Sequence, residues 1–118
     1  MLRSETAIVV ALISLLANTQ MARAEYVDGN DLHTWCQANN PAAVGYVLGI
    51  YDGFKTAQSY TQRPDLRSCV DPSVSRGQLY EIACKYTREN PQIWHLSAAS
   101  IAWNAFHASF PCSATNPS

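Results

Sequence analysis

Three glycines at strict four-residue intervals lie inside a segment with otherwise helical apolar spacing, and they restrict how the chain can fold. The glycines are Gly45, Gly49 and Gly53. The apolar positions around them are Ala43, Val47, Ile50, Phe54 and Ala57. A glycine inside a helix costs about 1 kcal/mol relative to alanine, so this segment must gain something from its bare positions. At about 100° per residue, the three glycines form one stripe without side chains.

Two interpretations of the glycine stripe follow. Close packing of another helix against it within a soluble domain is the favoured one. The alternative is a shallow groove left for a partner, because the stripe borders a polar arc with Asp52, Thr56 and Ser59. A lipid-exposed dimerisation motif does not fit, since the apolar stretch is short and is interrupted by Asp52 and Lys55.

The N-terminus has the pattern of a secretory signal peptide. Arg3 precedes an apolar run over residues 7–17, and Ala22-Arg23-Ala24 has the small-residue pattern of a cleavage site. We therefore expect residues 1–24 to be removed, with one domain over 25–112 and a flexible tail over 113–118. No other segment is apolar enough for stable membrane insertion. The expected location is the periplasm or the exterior.

The predicted mature chain is weakly acidic. It retains six basic and eight acidic residues, a formal charge of −2. No basic cluster is present, which argues against nucleic acid or an anionic membrane surface as the partner.

Capping signals and apolar spacing predict an all-α, four-helix domain without strands. The capping cluster 28–31, Pro41 as a first helical residue, the capping box from Ser75 to Gln78 and Ser97 as an N-cap mark the helix starts. The predicted helices span about 31–38, 41–59, 76–89 and 98–109. The last should turn Leu96, Ala99, Trp103, Phe106 and Phe110 inward.

Four cysteines in a short exported chain predict two disulfides. Helices three and four should form a hairpin that turns near residue 92, with Cys69 23 residues before the turn and Cys112 20 after it. An antiparallel hairpin brings those two together, which leaves Cys36 to pair with Cys84. The pairing Cys84–Cys112 would be out of register by about 12 residues, or roughly 18 Å of helix.

No convergent catalytic or cofactor motif is visible in the sequence. His33, His95 and His107 lack the spacing of a zinc site, the cysteines are accounted for, and no metal or cofactor is predicted. We expect a binding protein rather than an enzyme. The candidate contact regions are the polar loop 61–71 and the polar edge of the glycine helix. The candidate contact residues are Asp52, Tyr60, Arg63, Asp65 and Arg67.

An ordered set of short motifs resembles the Rap/Tai family of periplasmic immunity proteins of type VI secretion. The set comprises Asp31-Leu32 to Cys36, Gly45-Tyr46 with Gly49 and Asp52, Cys69-Val70 with Pro72, Gln78, Lys85-Tyr86, Glu89-Asn90-Pro91, His95-Leu96, and Phe110-Pro111-Cys112. Two positions depart from the family pattern. Val44 stands where a cysteine is usual, with Cys84 as the compensating change, and Ser97 replaces a proline.

The resemblance implies a protein that binds and blocks a toxic effector, typically a peptidoglycan amidase, by plugging its cleft, often as a homodimer. A weaker similarity to HdeA-type periplasmic acid chaperones is carried by residues 41–46 and 82–84. Those chaperones have one disulfide between the first and third helices, which here would join Cys36 to Cys84. An acid-stress chaperone is therefore the alternative function.

Overall fold

The computed structural model describes residues 26–112, which form four α-helices and two short 3₁₀ turns. The helices are α1 (Gly29–Gln37), α2 (Pro41–Thr61), α3 (Arg76–Glu89) and α4 (Ala98–Ser109), and the 3₁₀ turns are Pro64–Leu66 and Pro91–Ile93. Over this range there is no strand, only an isolated antiparallel bridge between Asp28 and Ser97. The all-α prediction is confirmed. The predicted signal peptide, its cleavage site and the tail lie outside the described residues.

The helix ends agree closely with the capping signals in the sequence. Asp28 and Ser75 each form a full capping box with the residue three positions later. Ser97 caps α4 by accepting a hydrogen bond from the Ser100 amide. Helix α2 ends at Thr61, two residues later than expected, and its C-cap Gln62 has left-handed backbone angles (φ 51°). These caps satisfy amide groups that would otherwise lack partners at the helix termini.

The core lies where one face of each helix meets the others. Helix α2 contributes Ala43, Val47 and Ile50, and α4 contributes Ile101 and Phe106, all of them buried. Leu32, Leu79 and Ala83 complete this side from α1 and α3. The prediction that Leu96 faces inward is wrong, because its side chain is 40% exposed. Leu96 precedes the N-cap of α4, so it lies in a loop where helical periodicity does not apply.

Two disulfides join the helices in the predicted pairing. Cys36 of α1 is bonded to Cys84 of α3, with their Cα atoms 5.7 Å apart. Cys69, in the loop between α2 and α3, is bonded to Cys112 after α4, with a Cα separation of 5.2 Å. The register argument is therefore confirmed. The two bridges tie α1 to the centre of the fold and the long loop to its C-terminal end.

The start of α1 is held against the turn that precedes α4. The Gly29 amide donates to the carbonyl oxygen of Leu96 (2.9 Å), and the Asn30 amide donates to that of Trp94 (3.1 Å). The Trp94 indole N–H donates to the Thr87 carbonyl oxygen (2.6 Å), and His33 stacks on Trp94 with ring centroids 4.0 Å apart. This junction fixes α1 across the α3–α4 hairpin.

Candidate functional site: an open apolar groove beside a loop-lined pocket

The glycine stripe of α2 faces open space rather than another helix. Gly45, Gly49 and Gly53 are all exposed. A Cβ atom built on any of them would meet no described atom within 4 Å, apart from its chain neighbours and its own helix backbone. The favoured prediction of close helix packing is therefore wrong within residues 26–112. Helical spacing correctly places the glycines on one face, but no described helix packs closely against that face.

The exposed glycines form part of a shallow apolar groove of about 460 Å³. It runs along α2 and is bounded on one side by Ala99, at the start of α4. Its remaining lining residues are Gly45, Tyr46, Gly49, Ile50, Gly53, Phe54 and Ala57. Partial burial raises the pKa of the Tyr46 phenol above its usual value, and its ring packs edge-on against Trp35. The groove thus presents apolar surface with one phenol among its walls.

A second depression, of about 670 Å³, adjoins the groove and shares Phe54 with it. We call it the loop pocket. It lies between α4 and the loop that follows α2, and it has both polar and apolar walls. Its lining residues are Phe54, Pro64, Asp65, Leu66, Arg67, Ser100, Trp103, Asn104, His107 and Cys112. Ala99 of the groove and Ser100 of the loop pocket are consecutive residues, so the two depressions form one surface.

Aromatic residues of α4 hold the loop that forms the rim of this pocket. The Trp103 indole N–H donates to the Asp65 carbonyl oxygen (3.4 Å), and the ring stacks on Phe54 with centroids 4.7 Å apart. The His107 ring donates from Nε2 to the Arg67 carbonyl oxygen (2.8 Å). The Cys69–Cys112 disulfide adds a covalent attachment. The loop therefore has a defined shape although it contains only a single short 3₁₀ turn.

The five predicted contact residues lie around this surface. Asp65 and Arg67 line the loop pocket, and Asp65 forms an exposed ion pair with Arg63 (2.6 Å). Asp52 is exposed and precedes Gly53 of the groove. Tyr60 is 84% exposed near the end of α2. The residues that sequence reasoning missed are those supplied by α4, namely Ala99, Ser100 and Asn104, because their position depends on how α4 packs against α2.

Ionisable residues are not gathered into a reactive centre in the part of the chain that is described. Within residues 26–112 no three His, Cys, Asp or Glu side chains are close enough together to hold a metal ion. His33 and His107 pack against tryptophan rings instead. In the loop after the pocket, hydrogen bonds from Ser73 hold the pKa of the Asp71 carboxyl below its usual value. No helix between residues 26 and 112 is long and apolar enough to cross a bilayer.

The fold and its surface define a class: a small, disulfide-linked helical protein with an open apolar groove next to a structured loop. Comparison with known families makes the class specific. The sequence model of the Rap1a immunity proteins matches residues 28–112, and the chain belongs to that family. Neither the curated proteins nor the solved structures provide a match. Family membership indicates an effector-immunity role, and together with two disulfides it indicates an extracytoplasmic protein.

Proposed function

We propose that this protein is a periplasmic immunity protein that binds a toxic effector and inhibits it. Membership of the Rap1a immunity family is the observation that carries this proposal. The two disulfides support it, since they fix the helices before any partner arrives and so reduce the ordering cost of binding. By the resemblance described above, the target is a peptidoglycan amidase, and inhibition consists of covering its cleft. The protein itself catalyses nothing.

The proposed contact surface combines the groove, the loop pocket and the residues that border them. Three glycines within one helix cost about 3 kcal/mol in total. No described side chain occupies the space that they leave. The cost is thus not offset by packing among the described residues, and a partner backbone lying close to α2 would offset it.

Tyr60 is the proposed anchor at one end of this surface. It follows Gly49 by eleven residues, about three helical turns, so it lies on the same side of α2 as the glycines. Exposed aromatic side chains are frequent binding hot spots. Asp52 borders the same strip, and Arg63, Asp65 and Arg67 form the adjacent rim. Together they give the apolar groove a polar border, which is the usual arrangement in protein interfaces.

Export and assembly complete the proposal. We propose cleavage of the signal peptide after Ala24, release into the periplasm, and a domain ending at Cys112 with a flexible tail after it. A homodimer is the proposed assembly, because the family resemblance implies it.

The direct test is protection against the effector. The neighbouring reading frame is expressed with a periplasmic signal, with and without this protein, and growth is recorded. Growth inhibition that only this protein relieves supports the immunity function. A protein that relieves no inhibition but suppresses aggregation of unrelated clients at low pH is instead an acid chaperone, the alternative based on the similarity of residues 41–46 and 82–84.

The contact surface is tested separately with purified components. Tyr60→Ala should weaken binding by roughly 2 kcal/mol if Tyr60 is a hot spot, which is measured by calorimetry with the effector. Lys85→Ala is the matched control, because Lys85 is exposed on α3, pairs with Glu89 and lines neither depression. Equal affinities for both variants would remove Tyr60 from the interface.

A further inference from the structure

The two disulfides differ in how they are embedded in the fold. Cys36 and Cys84 both lie within helices; Cys36 is half-buried and Cys84 is only 6% exposed, and both line a small depression of about 180 Å³. Cys69 and Cys112 both lie in non-helical segments. Cys69 is 8% exposed, whereas Cys112 is an exposed residue. One bridge is therefore held between two regular helices with neither cysteine fully exposed, and the other joins two non-helical segments and includes an exposed cysteine.

We propose that Cys69–Cys112 is a redox-sensitive latch, which a dithiol reductant opens while Cys36–Cys84 stays closed. Disulfide exchange requires a thiolate to reach one of the sulfur atoms, so accessibility controls its rate. Cys112 is the exposed residue of this bridge, so its sulfur is the proposed point of attack. Its partner Cys69 lies in a loop, and this loop can move when the bond breaks without displacing a helix.

The exchange is balanced as two successive displacements. A thiolate of the dithiol attacks Sγ of Cys112, the Sγ–Sγ bond breaks, and Cys69 leaves as a thiolate. The second thiol of the reductant then attacks the mixed disulfide and releases Cys112 as a thiolate. Both protein thiolates take up a proton. The protein disulfide has been reduced to two thiols, and the dithiol has been oxidised to its own disulfide.

The latch lies at the loop pocket, which gives its opening a structural consequence. Cys112 is one of the pocket's lining residues, and the bridge attaches the same loop that supplies Asp65 and Arg67. After reduction, the hydrogen bonds from Trp103 and His107 to two loop carbonyls remain among the attachments of the loop, together with other contacts of Arg67 and Ser68. We infer that the loop gains mobility while α1–α4 keep their packing. Any effect on effector binding rests on the proposed immunity function.

Differential labelling tests the latch without any effector. The folded, oxidised chain is treated with dithiothreitol under native conditions, samples are blocked with N-ethylmaleimide over time, and peptides are identified by mass spectrometry. We expect Cys69 and Cys112 to be labelled at least about tenfold faster than Cys36 and Cys84, with the helical circular dichroism signal unchanged. Hydrogen exchange should then accelerate in residues 63–69 and remain slow in the helices.

Two variants keep the outcome interpretable. In Cys36→Ser with Cys84→Ser, the remaining bridge should be reduced at its native rate. The variant Cys69→Ser with Cys112→Ser should keep its helical signal and show fast exchange in residues 63–69 without reductant. The latch would be overturned if both bridges were labelled at equal rates or if Cys36–Cys84 were labelled first. It would also be overturned if reduction removed the helical signal or left hydrogen exchange in residues 63–69 unchanged. None of these results depends on effector inhibition, so the latch can be refuted without refuting the proposed immunity function.

Discussion

Glycine serves opposite purposes at the start of α1 and along α2. At Gly29, an added Cβ would lie 2.5 Å from Cδ1 of Ile101 and 2.6 Å from Cα of Trp94. Along α2, the Cβ positions of Gly45, Gly49 and Gly53 are open to their surroundings. The residue type is the same, but at the first site it allows a contact within the chain and at the second it leaves a surface bare.

The fold requires glycine at the start of α1, whereas it only tolerates glycine along α2. Gly29 is required because the backbone at Trp94 approaches too closely for any side chain. The stripe has no such requirement among the described residues, so its glycines reduce helix stability without a compensating contact inside the domain. A surface feature that the fold does not require, such as this stripe, is a reasonable candidate for a binding site.

Gly29→Ala should have the largest effect on stability. The new methyl group would meet the backbone of Trp94, which cannot move without breaking the hydrogen bonds that hold α1 on the turn before α4. We expect a loss of about 1–3 kcal/mol in the free energy of unfolding, measured by urea denaturation. A variant as stable as the parent would show that the junction is loosely packed and would end the contrast between the two regions.

Gly49→Ala should change stability in the opposite direction. Alanine favours helix over glycine, and its Cβ would meet no described atom. The expected gain is about 0.5–1 kcal/mol, again from urea denaturation. Gly77→Ala on α3 is a suitable reference, since its Cβ would make only an ordinary contact of 3.9 Å with Ser75. A loss of stability at Gly49 alone would mean that the stripe is packed after all.

The sequence predicts the local parts of this structure well. The starts of α2, α3 and α4 follow from Pro41, Ser75 and Ser97, because capping depends on residues within one turn. The disulfide pairing also follows, since an antiparallel hairpin turning near residue 92 brings Cys69 and Cys112 together and leaves Cys36 for Cys84. Family resemblance correctly predicts the family to which the chain belongs.

Long-range contacts are where sequence reasoning is insufficient. The spacing of Gly45, Gly49 and Gly53 shows that they share a face, but it does not show whether another element reaches that face. Gly29 is visible in the sequence only as part of a capping cluster, because its close neighbour Trp94 is 65 residues away. Likewise, the loop pocket depends on residues from α4 whose position only tertiary packing determines.

Tyr46 should give a smaller, pH-dependent effect that reports on the groove. Burial raises the pKa of its phenol in the folded protein, so the unfolded chain loses this proton first as the pH rises. The stability from this group is fully present below the ordinary tyrosine pKa and is lost as the pH rises through the folded value. Unfolding measured at increasing alkaline pH should therefore show a steeper decline than in Tyr46→Phe. Identical profiles would indicate that Tyr46 is fully hydrated.

Gly49→Leu, assayed for both stability and effector affinity, tests the central claim most directly. The Cβ of the leucine would meet no described atom, and the rest of its side chain would extend toward the preceding turn and fill part of the groove. We predict an unchanged or higher melting temperature together with an affinity for the effector that is about tenfold lower or weaker still. Gly77→Leu, the same change away from the groove, should leave the affinity unaltered. A lower melting temperature with full affinity would contradict the account, because the stripe would then serve the fold rather than the partner.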